Sequence, residues 1–530
     1  METVTELFEQ ATKRWPAKIA IDDGKSLLTY AELDARSTAL AVRLMSEGVC
    51  AQDRVAVLCE RGISGLVAII GTLKAAAIYV PLDPRNPEAR LRRVIDEVQP
   101  SAVIGPRTKL DGSGLGCDRC IALEELVAEN GCQPIGNTTG IAHPGDRRAK
   151  AEDVAYCMYT SGSTGEPRGV EIEHRSVTAF IRAFNSYMRF DESSRCLNTS
   201  PYHFDVSVSD VLMPLVLGVT VYIVPSLLPP SRVLERIETA RITHFCPPAP
   251  LLTLLCGPGS TFDSRDLTSL RCIMTGAEVI AQTVVARWLD KVPGLRILNA
   301  YGPTEATCAC TAYEITQSSF FGQRELPIGY PFEGVYTLLL SPEGRSEPGL
   351  VSGELAVAGV QVMRGYWNRP AETAERIIMV EGRRYYRTGD LCEVDEEGRY
   401  YFRGRRDNEV KLRGYRVNLD EIRQTLMCDS RVSQAVAGIV KVKSGQASVG
   451  IGVVLKLPGT VAVLEDIVGG LKQRLPIYML PEYGLVSQSF PRLPSGKTDA
   501  RQVIELLTEG VNSHSARWFK LDQGRVLPVA

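Results

Sequence analysis

Between residues 54 and 104, short apolar runs alternate with helical stretches, and few folds accommodate that rhythm. Residues 54–59 suit a strand, and 64–77 are helical in composition and rich in alanine. Residues 73–83 leave that helix for a second strand, 88–97 read as helix and 101–104 as strand. This alternation marks a mostly parallel sheet covered by helices, because a parallel crossover needs a connection about as long as a helix. Upstream, Val4, Leu7, Phe8 and Ala11 share a helical face, and Thr29 is placed to cap a helix running to about Ser46.

Residues 105–151 interrupt the pattern with a Gly-, Asp-, Arg- and Thr-rich excursion holding one short helix at 123–129. Strand and helix then resume through 197–200, 207–218, 220–224, 231–240, 242–246, 270–275, 281–292 and 295–299. After Ala306 helical periodicity fades, and Gly/Pro punctuation separates short strands such as 335–340, 353–358 and 400–403. A charged stretch at 404–407 precedes a smaller α+β segment. The expected fold is therefore α/β, with parallel-type sheets covered by helices. It comprises an N-terminal core at 1–404 with a β-rich part at about 306–404, a hinge at 405–407 and a C-terminal α+β domain at 408–530.

At 530 residues the chain is too long for one ordinary domain. A net charge of −2 and the lack of a basic block argue against nucleic-acid or membrane partners and for small-molecule chemistry. Glu2, Glu6, Glu9 and Lys13 interrupt the N-terminus, so a secretory leader is not expected there, and no apolar run reaches membrane-spanning length. The fourteen cysteines are scattered and read as reduced cytoplasmic thiols. Cys117-Asp118-Arg119-Cys120 is the only CxxC and lacks the second pair that a zinc site needs.

The stretch from Tyr159 to Gly169 carries Thr160, Ser161, Gly162, Ser163, Thr164, Gly165 and Arg168 directly after an apolar run. Backbone N–H groups and hydroxyls of such a loop can turn on a phosphate, and Arg168 adds a fixed positive charge. Taken alone, the same residues also make an ordinary solvated turn. Gly496-Lys497-Thr498 imitates the end of a Walker loop, but the earlier glycine that motif requires is Pro491 here.

Together with an ordered series of other segments, this loop resembles the adenylate-forming enzymes, specifically the adenylation domains of non-ribosomal peptide synthesis. The resemblance covers roughly residues 29–497. It implies that the loop covers the β- and γ-phosphates of ATP, with Arg168 standing where the family usually has lysine. In Asn299-Ala300-Tyr301-Gly302-Pro303-Thr304-Glu305, it implies that Tyr301 stacks on adenine, Thr304 meets the α-phosphate and Glu305 holds Mg²⁺. Gly276-Ala277-Glu278 would border adenine, Asp390 would accept the ribose hydroxyls and Arg405 would contact ribose or phosphate. Asp407 would be the hinge pivot, and Lys411 would belong to the thioester-forming face. Lys497 would bridge the substrate carboxylate and the phosphate–ribose oxygens.

The segment Phe204-Asp205-Val206-Ser207 resembles the family element whose Asp pairs with the substrate's α-ammonium. The pocket positions carried over by the resemblance are Asp205, Val206, Ser209, Phe245, Met274, Gly276, Ala300, Cys308, Ala309 and Lys497. Apart from Asp205 and Lys497 none is charged, so an ionic substrate side chain would be left unpaired at high cost. The expected substrate is a neutral, apolar amino acid. Its carboxylate is already ionised near neutral pH, so His203 is expected to be structural rather than a base. The expected product is aminoacyl-AMP, then a thioester on the phosphopantetheine of a carrier protein acting in trans. No carrier or condensation motif is seen, so a free-standing or excised enzyme is expected. Three alternatives stay open: a D-alanine or β-amino acid loader, an acyl- or aryl-CoA ligase, and a silent nucleotide-binding scaffold.

Overall fold

A computed structural model describes the chain except at residues 112–118, 127–146, 162–165, 225, 228, 277, 321–324, 348, 443–446, 457–460, 493–497, 514–517, 523–524 and 529–530. The rest divides into two compact units. One comprises Met1–Pro84, Ile95–Thr160 and Arg168–Arg406; the other comprises Arg85–Val94, Ser161–Pro167 and Asp407–Ala530.

The first unit opens with the helix Val4–Arg14, and Thr3 caps it reciprocally with Glu6. Val4, Phe8 and Ala11 are its buried face. Thr29 and Glu32 form the same capping box at the start of the helix Tyr30–Ser46, satisfying backbone donors that a helix terminus leaves open. Among the described residues a nine-stranded sheet forms the frame. Its parallel centre runs from Arg296–Tyr301 through Cys272–Gly276, His244–Phe245 and Arg195–Asn198 to Thr220–Ile223 and Ile19–Asp22. Antiparallel strands Thr311–Ile315 and Leu27–Thr29 flank that centre. A seven-stranded sheet has a parallel centre of Val154–Thr160, Ile78–Leu82, Arg54–Leu58 and Ala102–Gly105. The strand Arg168–Glu173 doubles back antiparallel on Val154–Thr160. The α/β class holds, and the sheets are mixed, with antiparallel strands beyond their parallel centres.

The expected β-rich part contains an antiparallel five-stranded sheet of Val335–Leu340, Ser352–Gly359, Ile377–Val380, Arg383–Val394 and Tyr400–Arg405. Residues 207–218 are largely helical, the helical backbone running without a break over 206–216. A π-helical turn, Val208–Leu212, leads there into the single helical turn Met213–Val216. Two buried clusters lie on opposite faces of the nine-stranded sheet. Ile273, Ile297 and Trp288 belong to one, and Cys272, Met274, Leu298 and Ala300 to the other.

In the second unit the hairpin Glu409–Leu412/Tyr415–Asn418 leads into the helix Leu419–Met427, which Asn418 caps by accepting from Asp420 and Glu421 N–H groups. Ile422, Leu426, Ile451, Leu471 and Met479 form its core. Beyond the helix Ala500–Ser513, Trp518–Asp522 and Arg525–Pro528 extend the sheet built on Val432–Lys441, Ala447–Leu455 and Tyr483–Ser487.

Candidate active site

The strand Arg296–Tyr301 delivers Asn299, Ala300 and Tyr301, and the loop after it delivers Gly302, Thr304 and Glu305. Gly276 pairs in register with Ala300, where a Cβ would stand 2.1 Å from the Ala300 carbonyl oxygen, so only glycine lets the two strands meet. A Cβ on Gly302 would lie 2.5 Å from the Cα of Ala309, which keeps the returning loop close. That loop passes through left-handed backbone at two non-glycine residues, Thr307 (φ 57°) and Cys308 (φ 75°). Such a conformation is costly and needs bracing. Gln361 supplies bracing by donating to the carbonyls of Ala306 and Ala309, while its own backbone carbonyl accepts from the Thr307 hydroxyl.

Tyr301 and Asp390, 89 residues apart, are brought together: the Tyr301 hydroxyl donates to Asp390 Oδ2 at 2.5 Å. Arg405 donates to Asp390 Oδ1 at 2.5 Å, an ion pair largely shielded from water. Burial, reinforced by the Asp390 charge, pushes the Tyr301 phenol well above its usual range, so it is a donor at neutral pH. Glu354 braces the segment before Asp390 by accepting from the Gly389 N–H, Arg387 and Arg406. Asn299 donates to the carbonyl of Pro327 at 2.7 Å, and Glu278 is half-buried beyond Gly276. Ala277 lies outside the described residues.

Glu305 is fully buried and accepts from the Tyr366 hydroxyl at 2.8 Å. Among the described residues no three His, Cys, Asp or Glu side chains gather as a metal cage. A lone carboxylate of this kind fits Mg²⁺, which commonly takes one or two protein carboxylates and completes its shell with phosphate oxygens and water.

Thr160 ends the strand Val154–Thr160, and its buried hydroxyl and that of Tyr159 have no hydrogen-bond partner among the described residues. Ser161 belongs to the second unit, where its hydroxyl donates to the Arg416 carbonyl at 3.0 Å. Gly162, Ser163, Thr164 and Gly165 lie outside the described residues. Arg168 does not project from the loop. It begins the next strand, is 1% exposed, lies over the Tyr366 ring at 4.9 Å and faces Glu372 at 3.7 Å.

Asp205 lies in the turn before Val206 and Ser209, close enough for its charge to raise the phenol of Tyr156 and the thiol of Cys308 beyond what burial alone does. Ser209 Oγ and Cys308 Sγ are 3.1 Å apart. Met274, Ala300, Cys308 and Ala309 are buried in one cluster, with Val206 packed against it. Phe245 is a correction. Register pairs it with Leu197 and Ile273, on the opposite sheet face from Met274, and it is buried with Trp288. Side chains alternate along a strand, so the next residue, Cys246, takes the face assigned to Phe245. The neighbouring Cys196 thiol, together with burial, pushes the Cys246 thiol well above its usual range. His203 faces Asp83 at 3.8 Å and packs on Phe204.

In the second unit Lys411 is half-buried in Glu409–Leu412, and Asp407 accepts from the Glu409 N–H at 3.3 Å. Lys497 lies outside the described residues. The sequence reading did not single out Tyr366, Gln361, Glu354, Cys246 or Tyr156. Their roles come from contacts distant in the chain, and no local pattern marks them.

The signature described as AMP-binding enzyme matches residues 8–367. Over 504 residues the chain is 32% identical to tyrocidine synthase 3 of Brevibacillus parabrevis, a match covering 94% of this chain and 7% of that protein. It is 30% identical over 510 residues to tyrocidine synthase 1 of the same organism, covering 95% of this chain and 45% of that protein. The chain thus spans less than half the length of these relatives. Among solved structures it resembles an artificially fused adenylation–PCP di-domain NRPS from Klebsiella oxytoca (TM-score 0.77, 23% identity, 92% of this chain and 94% of that one). It also resembles o-succinylbenzoate CoA synthetase from Bacillus subtilis (TM-score 0.82, 22% identity, 94% and 98%). At such identities the likeness is one of fold.

Proposed function

The chain belongs to the AMP-binding enzyme family, and on that premise we propose that it activates a neutral, apolar α-amino acid with ATP and passes it to a carrier protein. An oxygen of the amino acid carboxylate attacks the α-phosphorus, the bond to the β-phosphate oxygen breaks, and pyrophosphate leaves. The phosphopantetheine thiol of a carrier supplied in trans then attacks the carbonyl carbon, and AMP departs.

Each residue has a defined task in this reading. Asp205 holds the α-ammonium. Val206, Ser209, Cys246, Met274, Gly276, Ala300, Cys308 and Ala309 surround the side chain. Tyr301 and Asp390 bind the nucleoside, with Arg405 orienting the carboxylate. Thr160 and its loop donate to the β- and γ-phosphates, and Thr304 to the α-phosphate. Glu305 and phosphate oxygens would hold Mg²⁺, which neutralises charge that would otherwise repel the attacking carboxylate. Lys497 stabilises the charge of the adenylation transition state, and Lys411 serves thioester formation after a turn about Asp407.

The observation that supports the amino acid reading is a carboxylate, Asp205, set near Cys308 and Tyr156, beside the buried cluster that holds Met274, Ala300, Cys308 and Ala309. In this reading Asp205 pairs with the α-ammonium of an amino acid, a group that benzoate and fatty acids lack, and that difference favours the amino acid over an acyl- or aryl-CoA ligase substrate. No described helix is long and apolar enough to cross a membrane, and a cytoplasmic site of action is part of the proposal.

Amino-acid-dependent ATP–pyrophosphate exchange over a panel of amino acids, benzoate and fatty acids tests the reading. Exchange with one or a few neutral amino acids is expected. Exchange confined to benzoate or a fatty acid would overturn it.

A further inference from the structure

Asp210 sits inside the π-helical turn Val208–Leu212 and is fully buried. Turns of this kind are rare, and their widened backbone commonly marks functional sites. Its carboxylate reaches back to the end of the strand Arg195–Asn198. Oδ2 accepts from the backbone N–H groups of Thr199 and Ser200, both at 3.1 Å, and Oδ1 accepts from Asn198 Nδ2 at 3.0 Å. The Asn198 amide also donates to the Ser200 carbonyl at 2.9 Å, and the Cys196 thiol reaches the Asp210 carbonyl at 3.7 Å. Arg61 donates to the Thr199 carbonyl.

These bonds close the segment 200–210 on itself, with Asp205 at its middle and Ser209 beside the anchor. Within it, the Phe204 N–H donates to Pro201, the Ser207 N–H to Phe204 and the Val208 N–H to Asp205. Few frames remain for Asp205 once both ends are tied. We propose that Asp210 is a positioning residue: its carboxylate clamps the π-helical turn to the strand end and so sets the direction from which Asp205 meets the substrate ammonium. The inference rests on the amino acid reading above and deepens it. Asp210 touches no reacting atom; it acts through Asp205.

Burial pushes the Asp210 carboxyl up to about 7 against the pull of its donors, so the test belongs at pH 8, where the carboxylate form prevails. Asp210→Asn keeps the size but turns one oxygen into an N–H₂ group. That group cannot accept the N–H groups of Thr199 and Ser200 while Asn198 takes the remaining oxygen. In pyrophosphate exchange with the preferred amino acid, KM for the amino acid should rise about tenfold, roughly the effect of one charge-assisted hydrogen bond. KM for ATP should stay within about twofold.

A sharper readout is the preference in kcat/KM for the amino acid over its des-amino carboxylic acid. It should fall about tenfold, because a misdirected Asp205 rewards the ammonium less. Asn198→Ala, which removes one donor and leaves the acid, should shift both readouts the same way by a smaller factor. It carries the test if Asp210→Asn does not fold. Unchanged amino acid KM and unchanged preference in the variants, beside an active wild type, would overturn the inference alone. So would equal rises in both KM values. A wild type that exchanges with no amino acid overturns the functional reading and this inference with it.

Discussion

The two ends of the site differ in how their polar groups are satisfied. At the nucleotide end, Asp390 holds Tyr301 and Arg405, and Glu305 holds Tyr366, while Glu354 and Gln361 brace the surrounding loops. At the proposed amino acid end, Asp205 lies close enough to Tyr156 and Cys308 to raise both groups beyond what burial alone does, and the buried Tyr156 hydroxyl has no hydrogen-bond partner among the described residues. A nucleotide is the same in every turnover, so its end can be a pre-formed network. In the proposed reading an amino acid is recognised by one charge and by shape, so one carboxylate and a lining serve its end.

The largest expected effect cuts the single charge. Asp205→Asn should raise KM for the amino acid about a hundredfold, as when one member of a desolvated ion pair is lost, and leave ATP binding nearly intact. An equal loss in ATP binding, read by equilibrium dialysis with labelled nucleotide, would erase the distinction between the ends.

Acid should instead strike the scaffold both ends share. His174 accepts from the Val4 N–H, and His244 packs between the Thr243 hydroxyl and the Met188 carbonyl. Burial depresses both imidazoles to about 4 from 6.5, so the folded protein favours their neutral forms. Their contribution is full above about pH 6.5 and is lost as pH falls toward 4, at about 3 kcal/mol each. Thermal unfolding midpoints should fall together over that window, and a flat profile from pH 7 to 4.5 would refute it.

Tyr301→Phe removes one donor from Asp390 and should raise KM for ATP about tenfold without changing amino acid preference. The smallest effect separates two neighbours. Cys246→Phe should shift the ranking of amino acids by size, within the 10- to 200-fold or so that one pocket group commands. Phe245→Leu should lower the melting temperature and leave that ranking alone. The reverse pattern would restore Phe245 to the pocket.

Much of this architecture was legible in the chain. Thr29 and Glu32 announce a helix start because capping is local, and the alternation over residues 54–104 matches the observed strands and helices because each period reflects one buried face. The hairpin Ile19–Asp22/Leu27–Thr29 was not, since its short strands offer too few residues to show a period. Phe245 was misassigned because which of two adjacent residues faces a pocket depends on where the strand is anchored. Only its pairing with Leu197 and Ile273 decides that. Arg168 reads as a loop cation, yet its strand turns it inward onto Tyr366.

By itself, then, the sequence determined most of the longer elements, their order and the residue types that adenylation chemistry calls for, since caps, periods and motifs are encoded within a few residues. Only the tertiary structure decided who bonds whom: Tyr366 with Glu305, Tyr301 with Asp390, Asp210 with the backbone of Thr199 and Ser200, and Cys246 rather than Phe245 on the Met274 face. Those choices follow from strand register and from packing between residues far apart in the chain, and neither leaves a local trace.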